Sequence, residues 1–392
     1  MIPFEKAYEI VMAQARTLDS EEVSLHEALH RILASDVLSD IDMPPFDKSA
    51  MDGYACRRAD LQYELAVIET IQAGTPPTKA IRERQCAKIM TGAMLPEGAD
   101  CVIMVEFTEE TRDGIVRFTG PSTLDNICRK SEDIRVGELV LRKGSRIGPQ
   151  HIAVLATVGC MRPRVYRKAR VGIIATGDEL VEPNERPGPS QIRTSNSYQL
   201  YAQVLTAGAV PTYYGIARDT EAQIDGALKR AIGQNDVVLV SGGVSKGDYD
   251  LVPGVMQRNG IEILFDSIAM KPGKPTTFGV SPEIYCFGLP GNPVSTFVQF
   301  EILVKPFLYK LMGHDFRVPY SVLPLSARVV PRRTERETWL PVKVTADGRA
   351  QPGEYHGSAH INALCQADGL IVIPIGSGAL EEGTLVRVRP LQ

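Results

Sequence analysis

The sequence lacks long apolar runs, basic stretches and paired cysteines. No apolar run approaches the roughly 20 residues that span a bilayer as a helix, and the first ten residues lack the basic start of a signal peptide. The net charge of −4 provides no broad basic face for nucleic acid. The seven cysteines contain no C-x-x-C pair, which is typical of reduced thiols. We therefore expect a cytoplasmic protein that binds neither membrane nor nucleic acid.

The length of 392 residues predicts several domains rather than one core. Amphipathic patterns predict helices over 3–17, 24–34 and 149–158, and a proline-rich break at 43–46 marks a change of domain. The expected units are a discontinuous helical domain of residues 1–44 and 140–168, a β-rich insert of 45–139, an α/β domain of 169–317 and a C-terminal β-barrel-like domain of 318–392.

The α/β domain is predicted from alternating buried strands and helices. Strands are expected at 171–175, 210–217, 236–240, 262–268, 276–280 and 284–288, and helices at 195–208, 220–233 and 293–312. Wholly apolar strands that alternate with helices indicate a doubly wound, mostly parallel sheet with both faces covered. Ligands bind such sheets beyond the carboxyl ends of their strands.

Two polar segments follow predicted strands of this domain. The segment TGDEL contains Asp178 and Glu179, adjacent carboxylates that can hold a divalent metal or a ligand hydroxyl, or that can form a plain solvated turn. The segment SGGVSKGDYD follows the strand 236–240. Its glycines allow a backbone to approach an anion, and its carboxylate can cap a helix or bind a metal. A tight strand-to-helix turn without a ligand is the alternative.

Two further loops contain glycines and prolines, and the first of them also carries two lysines. The segment KPGKP places Lys271 and Lys274 on a stiff loop that suits a polyanion, although solvated surface lysines are the common outcome. The segment GLPGNP joins the strand 284–288 to the last helix, and it can present backbone N–H groups to an anion or serve only as a connection.

Taken together, these segments resemble the molybdopterin molybdenumtransferase family, which includes the E domain of gephyrin. The matching stretches occur in the family's order and are PPFDKSAMDGYA, MTGAMLPEGAD, SEDI, TGDEL, SGGVSKGDYD, KPGKP and GLPGNPVS. The resemblance implies four domains per subunit, a homodimer, and an enzyme that inserts molybdate into adenylyl-molybdopterin with Mg²⁺ and releases AMP. It also implies the molybdopterin adenylyltransferase as a partner.

The resemblance carries over functional residues position by position. The implied catalytic residues are Asp52, Glu179, Asp219, Asp248, Lys271 and Lys274. The implied cofactor-binding residues are Thr91, Asp133, Gly242, Gly243, Ser245, Pro290, Gly291, Asn292 and Ser358. The candidate Mg²⁺ ligands are Asp178, Glu179, Asp219 and Asp248, because carboxylates suit this hard cation. The pattern departs from the family at Lys246, which adds a charge to the glycine-rich loop.

Two other functions remain open at this point. His26 and His30 match the H-E-x-x-H zinc-protease pattern and would share a face if residues 24–34 formed a helix. The longer metzincin pattern fails, because Leu33 and Asp36 occupy the positions of its glycine and third histidine. The second alternative is a non-enzymatic dimeric scaffold of the same fold, which would not need the charged loops.

Overall fold

The computed structural model describes residues 1–244, 251–331, 334–353 and 357–391. The predicted site residues Ser245 and Asp248 lie outside these ranges, as does Lys246. Among the described residues, no helix has the length and apolar character needed to cross a bilayer.

Seven α-helices follow one another along the described chain. They are α1 (Phe4–Gln14), α2 (Pro149–Thr157), α3 (Asn196–Thr206), α4 (Glu221–Ile232), α5 (Val252–Arg258), α6 (Pro293–Gln299) and α7 (Lys305–Leu311). A π-helical segment, Phe300–Val304, joins α6 to α7, so the predicted helix 293–312 is continuous. Short 3₁₀ turns occur at Leu25–Glu27, Arg58–Asp60, Val105–Phe107 and Ile361–Gln366.

A six-stranded sheet forms the centre of the α/β unit. Its order across the sheet is Val210–Ala217, Arg170–Thr176, Val237–Ser241, Tyr285–Leu289, Thr277–Val280 and Glu262–Phe265. The first four strands are parallel, as predicted. Thr277–Val280 runs antiparallel to both of its neighbours, so Glu262–Phe265 again has the direction of the first four strands and the sheet is mixed.

Both faces of this sheet are covered, because successive residues of its strands enter different cores. Ile173 and Leu239 pack with α3, α6 and α7 on one face. Ile174 and Val240 pack with α4 and α5 on the other face. This alternation explains why the strands are apolar at every position, and it places the strand ends between the two helical layers.

The remaining strands form an insert sheet and a C-terminal sheet. The insert sheet has the order Cys101–Met104, Gly53–Cys56, Gln85–Ile89, Glu64–Ile71, Ile115–Phe118 and Thr108–Arg112. The C-terminal sheet has the order Met270–Lys271, Glu337–Val344, Gly369–Ile373, Leu385–Pro390 and Ser321–Pro324, with Ala350–Pro352 beside Glu337–Val344. A bridge from Leu325 to Ala350 joins the two ends of this arrangement, so the pairing curls into a small barrel.

Four two-stranded ribbons complete the pairing. They are Ser20–Glu22 with Arg164–Tyr166, Val37–Leu38 with Leu139–Leu141, Lys48–Ser49 with Ile127–Cys128, and Leu180–Val181 with Ile192–Arg193. The first two ribbons and α2 enclose one core that includes Leu33, Leu141 and Leu155. Helix α1 belongs elsewhere, because Ala7 and Val11 are buried in the core of the α/β unit.

The predicted helix over 24–34 is wrong. Only Leu25–Glu27 is helical, as one 3₁₀ turn, and His30 has a φ of 64°. The Glu27 carboxylate accepts hydrogen bonds from the Ser24 backbone N–H at 3.2 Å and hydroxyl at 2.7 Å. Tertiary packing of Leu25, Ala28 and Leu33 against α2 therefore overrides the helical periodicity. Without that helix, His26 and His30 do not have the geometry of a zinc protease.

Candidate functional site

One cavity of about 560 Å³ lies at the carboxyl ends of the parallel strands. Seven of the predicted site residues line it, namely Glu179, Asp219, Gly242, Gly243, Pro290, Gly291 and Asn292. Thr176 and Asn196, the first residue of α3, line it as well. The fold thus brings the segments TGDEL, SGG and GLPGNP to one place, as expected for strand ends of a doubly wound sheet.

The glycines of the SGG turn are required by close backbone packing. Gly242 has a φ of 100°, and a Cβ there would lie 2.5 Å from the Thr176 carbonyl oxygen. Gly243 has a φ of 62°, and its Cβ would lie 2.9 Å from a methyl group of Val252. Side chains would therefore clash and strain the backbone. The Gly242 N–H is not available to a ligand, because it donates to the Leu289 carbonyl at 3.0 Å.

Asn196, which sequence reasoning missed, ties three of the cavity's segments together. Its Nδ2 donates to the Ser241 hydroxyl at 2.9 Å and to the Gly291 carbonyl at 2.8 Å. Asn196 is the first residue of α3, and its side chain is buried. Buried polar side chains of this kind fix the relative positions of the elements they join. The only local signal was a polar residue at a predicted helix start.

Asp178 and Asp219 hold the first two strand ends together. The Asp178 N–H donates to an Asp219 carboxylate oxygen at 3.3 Å, and the Asp219 N–H donates to Asp178 Oδ1 at 3.2 Å. Asp219 lines the cavity, whereas Asp178 is not among its described lining residues. Within the described ranges, no group of three His, Cys, Asp or Glu side chains has a metal-binding arrangement. Glu179 and Asp219 are the carboxylates that a metal in the cavity would meet.

The two lysines of KPGKP separate. Lys271 lies in the strand Met270–Lys271, which pairs with Glu337–Val344 of the C-terminal sheet, and lines a cavity of about 240 Å³ with Arg328 and Gly357. Lys274 lines a third cavity of about 470 Å³. Neither is among the described residues that line the central cavity. Pro275, the residue after Lys274, nevertheless lines the central cavity.

The C-terminal unit contributes to the central cavity. The Ser358 carbonyl accepts a hydrogen bond from the Val294 N–H at 3.1 Å, in the first turn of α6. The next residues along the chain, Ala359 and Ile361, line the cavity. The structure therefore places Ser358 beside the GLPGNP loop, and the Val294 N–H is already used.

Three further predicted residues, two of which are in contact, lie in the insert. Asp52 Oδ1 accepts hydrogen bonds from the Thr91 N–H at 2.6 Å and from the Thr91 hydroxyl at 2.9 Å, and these bonds lower the pKa of Asp52. Asp133 is exposed, and its N–H donates to the Met43 carbonyl at 3.1 Å. These residues share the exposed loops of the insert and are not among the described residues that line the central cavity.

Three family models together match most of the chain. The description "MoeA N-terminal region (domain I and II)" matches residues 2–159, "Probable molybdopterin binding domain" matches 172–310, and "MoeA C-terminal region (domain IV)" matches 325–391. A solved structure of a molybdopterin biosynthesis MoeA protein from Pyrococcus horikoshii is similar to this chain, with a TM-score of 0.86 and 30% identity. The match covers 100% of this chain and 100% of that protein's chain.

Curated relatives match over the same length. The molybdopterin molybdenumtransferase of Bacillus subtilis is 34% identical over 99% of this chain and 93% of that protein. The molybdopterin molybdenumtransferase of Haemophilus influenzae is 35% identical over 95% of this chain and 94% of that protein. The chain belongs to the MoeA family, whose named relatives are the molybdopterin molybdenumtransferases.

Proposed function

We propose that this enzyme of molybdenum cofactor biosynthesis inserts molybdate into adenylyl-molybdopterin and releases AMP, in the cytoplasm. The observation that carries the proposal is the central cavity, where two carboxylates and two glycine-containing loops meet at the ends of parallel strands. A phosphoanhydride substrate needs positive charge around its phosphates, and it needs a site that positions the bond that breaks.

Mg²⁺ is the cofactor that fits the donors of this cavity. Glu179 and Asp219 offer carboxylate oxygens, the ligands that Mg²⁺ takes in combination with water and substrate phosphates. Asp248 is a further proposed ligand that lies outside the described residues. Asp178 supports the pair by binding the Asp219 backbone. When bound, the ion would neutralise phosphate charge and polarise the anhydride bond.

The chain's own residues supply the remaining functions. Gly242 and Gly243 would let the backbone approach a bound substrate closely, and Pro290, Gly291 and Asn292 line the cavity beside them. We propose that Lys271, Lys274 and Ser358 hold anionic groups in the adjoining cavities, molybdate among them. We further propose that Asp52, Thr91 and Asp133 form a substrate-binding surface on the insert, ordered by the Asp52–Thr91 hydrogen bonds.

The proposed assembly is a homodimer that receives its substrate from the molybdopterin adenylyltransferase. Sedimentation of the purified protein tests the homodimer, for which the expected mass is twice the chain mass of 42.9 kDa.

The activity is tested by incubating the purified protein with adenylyl-molybdopterin and Mg²⁺, with and without molybdate. AMP release that depends on molybdate is the expected result, because transfer and cleavage of the anhydride are coupled. No release from a folded protein, or release indifferent to molybdate, would refute the proposed reaction.

A further inference from the structure

The central cavity contains a charge imbalance. Among the described residues that line it, the charged side chains are Glu179, Asp219 and Arg193. Lys271 and Lys274 line other cavities. A phosphate that enters therefore meets two carboxylates and one guanidinium in the described part of the wall. Arg193 is the described side chain whose charge attracts such a group.

The structure also orients Arg193. The ribbon Leu180–Val181 with Ile192–Arg193 directly follows Glu179, and the Ile192 N–H donates to the Glu179 carbonyl at 2.8 Å. The Nε atom of Arg193 donates to the Glu185 carbonyl at 2.9 Å. This bond holds the guanidinium beside the backbone of the loop that precedes the ribbon strand Ile192–Arg193. Its two Nη groups have no hydrogen-bond partner within the described residues, and they form the fork that matches two phosphate oxygens.

The backbone beyond Arg193 favours an anion at the same place. Helix α3 begins at Asn196 and is 11 residues long, so its positive dipole end faces the cavity that Ser195 and Asn196 line. The N–H groups of Gly242 and Val294 are already used within the protein. The loops thus offer fewer donors than their sequence indicates, and a side-chain donor is needed.

We propose that Arg193 binds a phosphate of the phosphoanhydride substrate in the central cavity through its two Nη groups. This inference rests on the proposed function, and it adds a residue that no motif marks. The phosphate is either that of the adenylyl end or that of the pterin end of the substrate. Both present the same oxygens to a guanidinium, and the experiment separates them.

The test compares four forms of the full chain. Arg193→Gln removes the charge, Arg193→Lys keeps the charge without the fork, and Arg186→Gln is a matched control at an exposed arginine of the same loop that is not among the described cavity residues. For each form, AMP affinity is measured by calorimetry with Mg²⁺. The KM for adenylyl-molybdopterin is measured by molybdate-dependent AMP release.

For Arg193→Gln we expect a loss of affinity of roughly 10- to 100-fold, the range typical of a charged hydrogen bond. Arg193→Lys should fall between it and the wild type, and Arg186→Gln should match the wild type. Weaker AMP binding assigns the adenylyl phosphate. Unchanged AMP binding with a raised KM assigns the phosphate of the pterin end.

Wild-type values of both AMP affinity and KM in Arg193→Gln would overturn the inference and leave the proposed reaction intact. An inactive wild-type protein would instead refute the proposed reaction itself. Far-ultraviolet circular dichroism confirms that each variant is folded, and the exposed position of Arg193 makes folding of the variants the expected result.

Discussion

Glu337 is a buried acid at the joint between the C-terminal sheet, the strand Met270–Lys271 and α1. Its N–H donates to the Ala269 carbonyl at 3.0 Å, and the Trp339 indole N–H donates to its carboxylate. Burial raises the pKa of Glu337 to about 7, and the nearby Glu5 carboxyl adds to the increase. The protonated form of Glu337 is therefore favoured in the folded protein.

The raised pKa of Glu337 predicts a pH-dependent stability. The contribution of Glu337 to the free energy of unfolding is complete below its unfolded-state pKa of about 4.5. This contribution is lost as pH rises through the folded-state pKa of about 7. The full effect is at most about 3 kcal/mol. We expect Glu337→Gln to remove this dependence, so the variant gains stability relative to the wild type as pH rises from 5 to about 8.

Fluorescence of Trp339, the single tryptophan of the chain, reports unfolding beside this carboxyl. Urea midpoints measured at the two pH values check the prediction. If the urea midpoints of the variant and the wild type differed by the same amount at both pH values, Glu337 would not change protonation in this range.

Arg218 joins two elements of the site, the ends of the neighbouring strands Arg170–Thr176 and Val210–Ala217. Its Nη1 donates to the Asp178 carbonyl at 2.8 Å and to the Leu180 carbonyl at 3.2 Å. Glu179 lies between these two carbonyls, and Asp219 is the next residue after Arg218. The guanidinium therefore positions both cavity carboxylates through the backbone.

For Arg218→Gln we expect kcat to fall about 10- to 100-fold with little change in KM, because small displacements of a catalytic group are costly to the reaction. Arg218→Lys should recover part of the rate. Arg258→Gln is the matched control. Arg258 forms an ion pair with Glu221 at a distance of 3.0 Å, and neither residue is among the described residues that line the cavity. A wild-type kcat in a folded Arg218→Gln protein contradicts the positioning role.

The elements of the α/β unit were largely predictable because their signal is local. The continuous apolar strand at 171–175 and the helix beginning near Thr220 follow from periodicity and capping, and Thr220 does cap α4. The helix at 24–34 failed because its apolar residues serve a core shared with residues over 100 positions away. The reversed strand Thr277–Val280 gave no local sign of its direction.

The candidate site was predictable where motifs follow strands. Glu179, Asp219 and the glycines meet in one cavity because parallel strand ends share an edge. The separation of Lys271 from Lys274 was not predictable, because Lys271 pairs with a strand more than 60 residues later. Arg193 and Asn196 were missed for a related reason: their roles depend on contacts with distant loops.

At the scale of the whole molecule, α1 and the C-terminal sheet are joined to the α/β unit. Helix α1 packs into its core, and Phe4 of that helix contacts Trp339 of the C-terminal sheet at 5.9 Å between ring centroids. The buried Arg389 guanidinium donates to the Glu301 carbonyl in the π-helical segment. Because Ala359 and Ile361 line the central cavity, the C-terminal unit is part of the site and not an appendage.

The central claim is that the cavity carboxylates place Mg²⁺ on a phosphoanhydride. The measurement that tests it most directly is single-turnover, molybdate-dependent AMP release against Mg²⁺ concentration for the wild type, Glu179→Gln and the exposed loop control Glu185→Gln. The account predicts that Glu179→Gln lowers the rate of AMP release at least about 30-fold, as for removal of a paired charge, and raises the Mg²⁺ concentration that the reaction requires. Glu185→Gln should keep the wild-type rate and Mg²⁺ dependence. A folded Glu179→Gln protein with a wild-type rate and Mg²⁺ dependence would contradict it.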